Sequence, residues 1–193
     1  MTYSKIAVIG GSGIYEIDDL ENASWISVET PWGAPSDQLL TGTLGGVEMV
    51  FLPRHGRGHV HSPSTVPYLA NIDALKRVGV TDVISVSACG SFREEMAPGD
   101  FVIVDQFIDR TSARVKSFFG SGCVAHVSVA HPTCPRLSKA CFTASKDAGI
   151  NVHDHGTYLA MEGPQFSTLA ESKMYRDSWG ADVIGMTNMP EAK

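Results

Sequence analysis

The chain has 193 residues, of which 43% are hydrophobic, and carries a formal net charge of −6 at neutral pH. This length and apolar content suffice for a buried core, most simply in a single domain that spans residues 1–193. The negative charge argues against binding to nucleic acid or to an anionic membrane, although it leaves room for a local basic pocket. We find no apolar leader and no membrane-spanning run, and therefore expect a cytoplasmic protein.

The cysteines and histidines are spaced too irregularly for a metal site. None of the four cysteines forms a C-x-x-C pair, and neither of the two H-x-H pairs lies near a cysteine in the sequence. Zinc and a disulfide framework are therefore not indicated, and reduced thiols are the better interpretation. The residues concerned are Cys89, Cys123, Cys134, Cys141, His59, His61, His153 and His155.

The first predicted strand, residues 6–9, leads into a turn with the sequence Gly-Gly-Ser-Gly. A dinucleotide-binding fingerprint would need a G-x-G-x-x-G spacing, a helix directly after it and an acid about 20 residues on. No clear helix follows here, so a non-catalytic nucleotide-binding module remains only an alternative. The turn either reverses the chain and does nothing more, or presents its amides and the Ser12 hydroxyl to an anion.

A hairpin is predicted next, with strands at residues 38–43 and 47–52 joined by Gly45-Gly46. Its second strand is an apolar run that delivers Arg54 and His55 side by side at its carboxyl end. Because arginine offers a planar fork of donors, this strand end suits a small dianion such as phosphate. The alternative is that both are ordinary solvated loop residues.

The rest of the chain alternates between strand and helix patterns. The β-branched run at 80–86 predicts a strand covered on both faces, and Thr168 with Glu171 predicts a capping box. With the early hairpin, this alternation predicts an α/β fold with a mixed central sheet flanked by helices. Helices are predicted at 68–78, 135–148 and 168–180, and further strands at 101–104, 157–161 and 181–186.

Four predicted strand ends carry the hydroxyl, guanidinium and imidazole donors that one phosphate ion requires. Ligands of open α/β sheets sit at the carboxyl ends of strands, so we expect these donors to gather around one ion. Nearby small or flat residues suit a planar base, which suggests that phosphate is a substrate. The donors are Ser12, Arg54, His55, Ser87 and Thr187, and the flat or small surfaces are Ala88, Cys89, Gly90 and Phe166.

Six motifs occur together: Gly-Gly-Ser-Gly at 10–13, Arg-His-Gly-Arg at 54–57, Ala-Cys-Gly-Ser at 88–91, Asp-Gln-Phe-Ile-Asp-Arg-Thr at 105–111, Glu-Gly-Pro-Gln-Phe-Ser at 162–167 and Met-Thr-Asn-Met-Pro-Glu at 186–191. Their combination resembles the methylthioadenosine phosphorylases of the trimeric purine nucleoside phosphorylase family. The resemblance implies a nucleoside phosphorylase fold and phosphorolysis of 5′-methylthioadenosine to adenine and 5-methylthioribose 1-phosphate. It further implies a homotrimer, no metal or organic cofactor, and inorganic phosphate as co-substrate.

The resemblance also implies roles for individual residues. By the family pattern, Phe166 would pack on the purine, Met186 would lie against the ribose, and His126 would reach the 5′ substituent bound by a neighbouring subunit. Substrate would also contact Ala88, Cys89 and Gly90. The phosphate-binding residues would be Ser12, Arg54, His55, Ser87, the backbone of Ala88, and Thr187.

Ser167 separates two branches of the family. Relatives that act on 6-oxopurines carry Glu after the Phe, whereas a carboxylate facing the bare N1 of adenine would cost about 1–3 kcal/mol. Ser167 thus favours adenine, unless it is merely the residue before a helix cap. A 6-oxopurine nucleoside or methylthioinosine phosphorylase is the alternative.

One departure from the family concerns the last residues. The family's purine-contacting acid, with a strand and helices around the 5′ group, follows the Met-Thr-x-x-Pro-Glu segment, and the sequence stops at Lys193. We therefore expect the chain to lack the family's C-terminal strand and helices. As given, it would bind phosphate but lack the donor for its leaving group.

Overall fold

The computed structural model describes residues 4–11 and 17–193. The chain divides into two compact units, Met1–Ser87 and Ala88–Lys193, and each contains its own hydrophobic core. The single domain expected from the sequence stays a prediction. Among the described residues, no helix combines the length and the apolar character required to cross a membrane.

The first unit is built on a mixed five-stranded sheet. Its elements are β1 (Ile6–Gly10), β2 (Glu21–Ile26), β3 (Leu39–Leu44), β4 (Val47–Pro53), α1 (Tyr68–Arg77) and β5 (Asp82–Ser85). The strand order is β2-β3-β4-β1-β5, in which β1 runs parallel to β4 and β5 and the other pairs are antiparallel. The predicted hairpin is confirmed: Gly45 and Gly46 turn between β3 and β4 with φ angles of 56° and 79°.

Helix α1 confirms the helix predicted at 68–78, and Gly79 follows it with a φ of 83°. The expectation for the next strand is wrong in one respect. Strand β5 is an edge strand of the described sheet, and Val83 and Val86 are 39% and 46% exposed. Val83 lies within β5, so its exposure shows that one face of this strand is partly open among the described residues.

The second unit contains a four-stranded sheet and a two-stranded sheet within the described residues. Its elements are β6 (Gly90–Ser91), β7 (Phe101–Val102), β8 (Gln106–Asp109), α2 (Pro135–Asp147), β9 (Val152–His153), β10 (Thr157–Ala160), α3 (Leu169–Asp177), β11 (Val183–Gly185) and α4 (Asn188–Glu191). The larger sheet has the order β6-β11-β10-β8, in which β10 is parallel to both neighbours, and β7 pairs with β9. These elements confirm the mixed α/β fold.

The capping box predicted at the start of α3 is present. The Thr168 hydroxyl accepts from the Glu171 amide at 3.2 Å, and the Glu171 carboxylate accepts from the Thr168 amide at 2.7 Å. Two amides that the helix itself leaves without acceptors are satisfied in this way. The start of α3 is therefore determined locally, by its own sequence.

Strand β10 is buried on both of its faces. Tyr158 and Ala160 belong to one hydrophobic cluster, whereas Leu159 and Met161 belong to another. Because successive side chains of a strand point to opposite faces, this apolar run joins two halves of the unit's core.

Replacement of Gly185 by alanine tests how tightly this core is packed. A Cβ at this position would overlap the ring and hydroxyl of Tyr158, whose side chain is fully buried. We expect Gly185→Ala to lower the free energy of unfolding by about 1–3 kcal/mol or more, as overpacking does. Urea denaturation measures the change, with Gly120→Ala as control because a Cβ there meets no atom within 4 Å. Equal midpoints for the two variants would contradict the prediction.

Candidate functional site

Arg54 follows β4 directly and is only 1% exposed. Its guanidinium donates to the Val86 carbonyl at 3.0 Å, the Ile9 carbonyl at 3.2 Å and the Ser85 hydroxyl at 2.8 Å. Since these acceptors lie at the carboxyl ends of β1 and β5, Arg54 connects the ends of three adjacent strands. The alternative that it is a solvated loop residue is wrong.

His55 is also buried, at 8% exposure, and its ring is fixed from two sides. The Nδ1 atom lies 2.8 Å from the His61 carbonyl, and the ring stacks on His59 at 4.3 Å between centroids. Because a carbonyl can only accept, Nδ1 carries a proton, which determines the tautomer of the neutral ring. Gly56 allows this turn, since its φ is 71° and a Cβ there would lie 2.8 Å from the Ser36 carbonyl.

Arg57, the last residue of the Arg-His-Gly-Arg motif, braces the same turn. Its side chain donates to both carboxylate oxygens of Asp37, at 3.0 and 2.8 Å, and its amide donates to Asp37 at 2.7 Å. The guanidinium also lies 4.1 Å from the ring centroid of Trp25. Burial raises the pKa of Asp37, but hydrogen bonds from Arg57 and Gln38 outweigh burial and hold the pKa below its usual value.

The lowered pKa of Asp37 predicts a specific pH dependence. Ionised Asp37 stabilises the fold above its unfolded-state pKa of about 4, and this contribution is lost as the pH falls through the lower folded-state pKa. We expect Asp37→Asn to cost about 1 kcal/mol of unfolding free energy at neutral pH and progressively less towards about pH 3. Urea titrations at both pH values measure this difference, with the exposed Asp18→Asn as control. A cost that does not change with pH would refute the prediction.

Ser87 ends the first unit just beyond β5, directly after the Val86 carbonyl that Arg54 contacts. The structure thus brings Arg54, His55 and the chain at Ser87 to neighbouring strand ends. The predicted Ser12 lies outside the described residues. The other predicted phosphate-binding residues, Ala88 and Thr187, belong to the second unit, so the convergence of all of them on one ion stays a prediction.

The second unit brings two of the predicted substrate-facing segments together. A Cβ on Gly163, whose φ is 71°, would lie 2.5 Å from Met186 Sδ, so the segments that contain these residues are in close contact. Thr187 is buried next to Met186, whereas Phe166 is 85% exposed. Ser167 directly precedes the cap of α3, and its hydroxyl lies 2.8 Å from that of Ser172.

The other residues predicted to contact substrate lie on the surface of the second unit. Ala88, Cys89 and Gly90 are exposed before and at the start of β6, and His126 is exposed in a segment without regular structure. Their contacts with a base or with a neighbouring subunit stay predictions.

One residue of this unit was missed by sequence reasoning. Arg114 is buried, and its guanidinium contacts the carbonyls of Glu162, Met186 and Met189. No local pattern distinguishes Arg114 from other polar residues of its segment. The only available signal was that Glu162 and Met186 both lie in the motifs described above.

Comparison with known proteins defines the class. The family model of the phosphorylase superfamily matches residues 5–193. The chain therefore belongs to the phosphorylase superfamily.

Individual relatives show which members of the superfamily the chain is similar to. The chain is 77% identical over 190 residues to an S-methyl-5′-thioadenosine phosphorylase of Cereibacter sphaeroides, covering 98% of this chain and 65% of the relative. It is 64% identical over 188 residues to the enzyme of the same name from Rhodospirillum rubrum, covering 97% of this chain and 64% of the relative. The chain thus spans slightly less than two thirds of the length of these relatives.

Solved structures agree with this assignment. A methylthioadenosine phosphorylase from an antarctic soil metagenomic library superposes with a TM-score of 0.95 at 52% identity, covering 100% of this chain and 68% of that one. The methylthioadenosine phosphorylase of Schistosoma mansoni in complex with adenine superposes with a TM-score of 0.92 at 37% identity, covering 98% of this chain and 76% of that one. The fold and the family expected from the sequence motifs are confirmed.

Proposed function

We propose that the protein catalyses the phosphorolysis of 5′-methylthioadenosine to adenine and 5-methylthioribose 1-phosphate. The observation that carries this proposal is the 77% identity to a relative named S-methyl-5′-thioadenosine phosphorylase. The motifs that indicated this chemistry lie within the matched residues 5–193.

The buried Arg54 supports phosphate as the attacking group. Cleavage of the glycosidic bond builds positive charge on the sugar, and a phosphate dianion held below C1′ stabilises that charge while it is poised to attack. A guanidinium shielded from water interacts with such a dianion more strongly than an exposed one does. We propose that the phosphate-binding residues are Ser12, Arg54, His55, Ser87, the backbone of Ala88, and Thr187.

The nucleoside is proposed to bind against small and aromatic surfaces. The exposed ring of Phe166 is available to pack on the purine, and Met186 lies next to the proposed phosphate ligand Thr187, where the ribose would bind. Ala88, Cys89 and Gly90 would admit the flat base, and Ser167 would favour adenine over 6-oxopurines. The group that donates a proton or hydrogen bond to the leaving purine is not among these residues.

The gene product, at its full encoded length, allows a direct test of this reaction. We expect adenine release from 5′-methylthioadenosine to require phosphate, and kcat/KM to exceed that for inosine and methylthioinosine by at least about tenfold. The Ser167→Glu variant should lose part of this preference, because it places a carboxylate where adenine has a bare acceptor.

The remaining outcomes each support a different function. Preference for inosine or methylthioinosine would replace the proposal by the 6-oxopurine or methylthioinosine alternative. Tight dinucleotide binding without any phosphate-dependent cleavage would replace it by the nucleotide-binding module.

We further propose that the protein is a homotrimer in which His126 reaches the 5′ substituent of the substrate bound by a neighbouring subunit. The surface that supports this proposal is the segment 115–129, in which apolar side chains are between 40% and 73% exposed. A second copy of the chain would bury them. The side chains are Val115, Phe118, Phe119, Val124, Val127 and Val129.

Light scattering coupled to size exclusion tests the assembly. We expect a mass of three chains for the wild type and a smaller mass for Val124→Glu with Val127→Glu, because charges at a buried contact weaken association. Val47→Glu, at the hairpin in the first unit, is the matched control and should keep the wild-type mass. A monomeric wild type would refute the proposal.

The reaction as proposed needs inorganic phosphate as co-substrate and neither a metal nor an organic cofactor. We propose the cytoplasm as its compartment. All four cysteines are free thiols in the structure, as is usual in a reducing compartment.

A further inference from the structure

The side chain of Arg114 is 1% exposed and lies between two segments of the second unit. Its Nη2 donates to the Glu162 carbonyl at 2.6 Å. Its Nη1 donates to the Met189 carbonyl at 2.6 Å and also contacts the Met186 carbonyl. A single planar group therefore holds main-chain atoms of residues 162, 186 and 189 at fixed separations.

Glu162 completes this arrangement. Its Oε1 accepts from Arg114 Nε at 3.2 Å, and its Oε2 accepts from the amides of Ser112 and Ala113, the latter at 3.1 Å. The carboxylate thus balances the buried cation and also holds the backbone that leads to Arg114. Charge-assisted bonds of this type are the stronger ones, and a buried pair that loses one member leaves an uncompensated charge.

The main-chain atoms held by Arg114 flank the proposed nucleoside site. The Glu162 carbonyl directly precedes Gly163, which approaches Met186 so closely that a Cβ would lie 2.5 Å from Met186 Sδ. The same segment continues to Phe166, and Met186 is followed by Thr187. The residues proposed to contact the purine, the ribose and the phosphate thus belong to the two segments that the Arg114 guanidinium connects.

We propose that Arg114, oriented by Glu162, is a positioning residue that sets the separation between Phe166 and Met186 with Thr187. It acts through the two segments and not through contact with substrate. This inference rests on the proposed function of the same site. Displacements of about 1 Å in such an arrangement can cost about 100-fold in rate, so a donor that reaches fewer of the carbonyls should affect catalysis.

The first test compares Arg114→Lys with Arg93→Lys. Lysine keeps the charge but lacks the planar fork, so it cannot reach the same acceptors together. Arg93 is a matched control because it also pairs with a carboxylate in this unit, donating to Asp182 at 2.6 Å, and contacts neither segment through that bond. At a temperature where circular dichroism shows both variants folded, we expect Arg114→Lys to lower nucleoside kcat/KM about 10- to 100-fold and the control about twofold at most.

Chemical rescue separates positioning from general stability. We expect Arg114→Ala to recover part of its nucleoside kcat/KM in millimolar guanidinium, at concentrations far below those that denature, whereas Arg93→Ala should gain nothing. If Arg114→Lys melts earlier but keeps wild-type kcat and KM for nucleoside and phosphate, the inference is overturned and Arg114 is purely structural.

Amide hydrogen exchange provides a readout that does not depend on the reaction. We expect faster exchange in Arg114→Lys confined to residues 112–114, 162–167 and 186–189, and no such pattern in Arg93→Lys. If the wild type has no phosphorolytic activity but this pattern appears, the proposed function fails while the positioning role stands. If the wild type is active and neither exchange nor kinetics change in Arg114→Lys, the positioning role fails and the function stands.

Discussion

Both units depend on a guanidinium that is removed from water and held by oxygen atoms distant in the sequence. Arg54 reaches acceptors at the ends of β1 and β5, and Arg114 reaches carbonyls of three residues in two segments. A buried cation is expensive unless acceptors surround it, so each arginine requires its neighbours to be in place. This requirement makes the strand ends and loops that carry the candidate site residues well defined.

The two arginines connect different parts of the chain. Arg54 donates to two carbonyls and a hydroxyl at strand ends of the first unit. Arg114 donates to carbonyls of two segments of the second unit and pairs with the carboxylate of Glu162. Under the proposed function, Arg54 would lie beside the bound phosphate, whereas Arg114 would act through the segments that it holds.

Local signals predicted local features well. Gly45-Gly46 predicted the hairpin, Thr168 with Glu171 predicted the cap of α3, and the Arg-His turn was located at the correct strand end. Sequence reasoning failed where the burial or the partners of a residue depend on residues that are distant in the sequence. The acceptors of Arg114 lie between 48 and 75 residues away, and no periodicity reports such a contact. The exposure of Val83 in β5 likewise depends on which elements pack on the faces of the strand, and an apolar run does not encode this.

The contact between Gly185 and Tyr158 also constrains how this sequence can change over generations. Position 185 can gain a side chain only after position 158 has exchanged its large ring for something smaller, because the reverse order would pass through an intermediate that cannot pack. That first exchange would itself open a void in the core. Descendants of this protein are therefore expected to retain the pair or to replace both members, and single replacements should be rare.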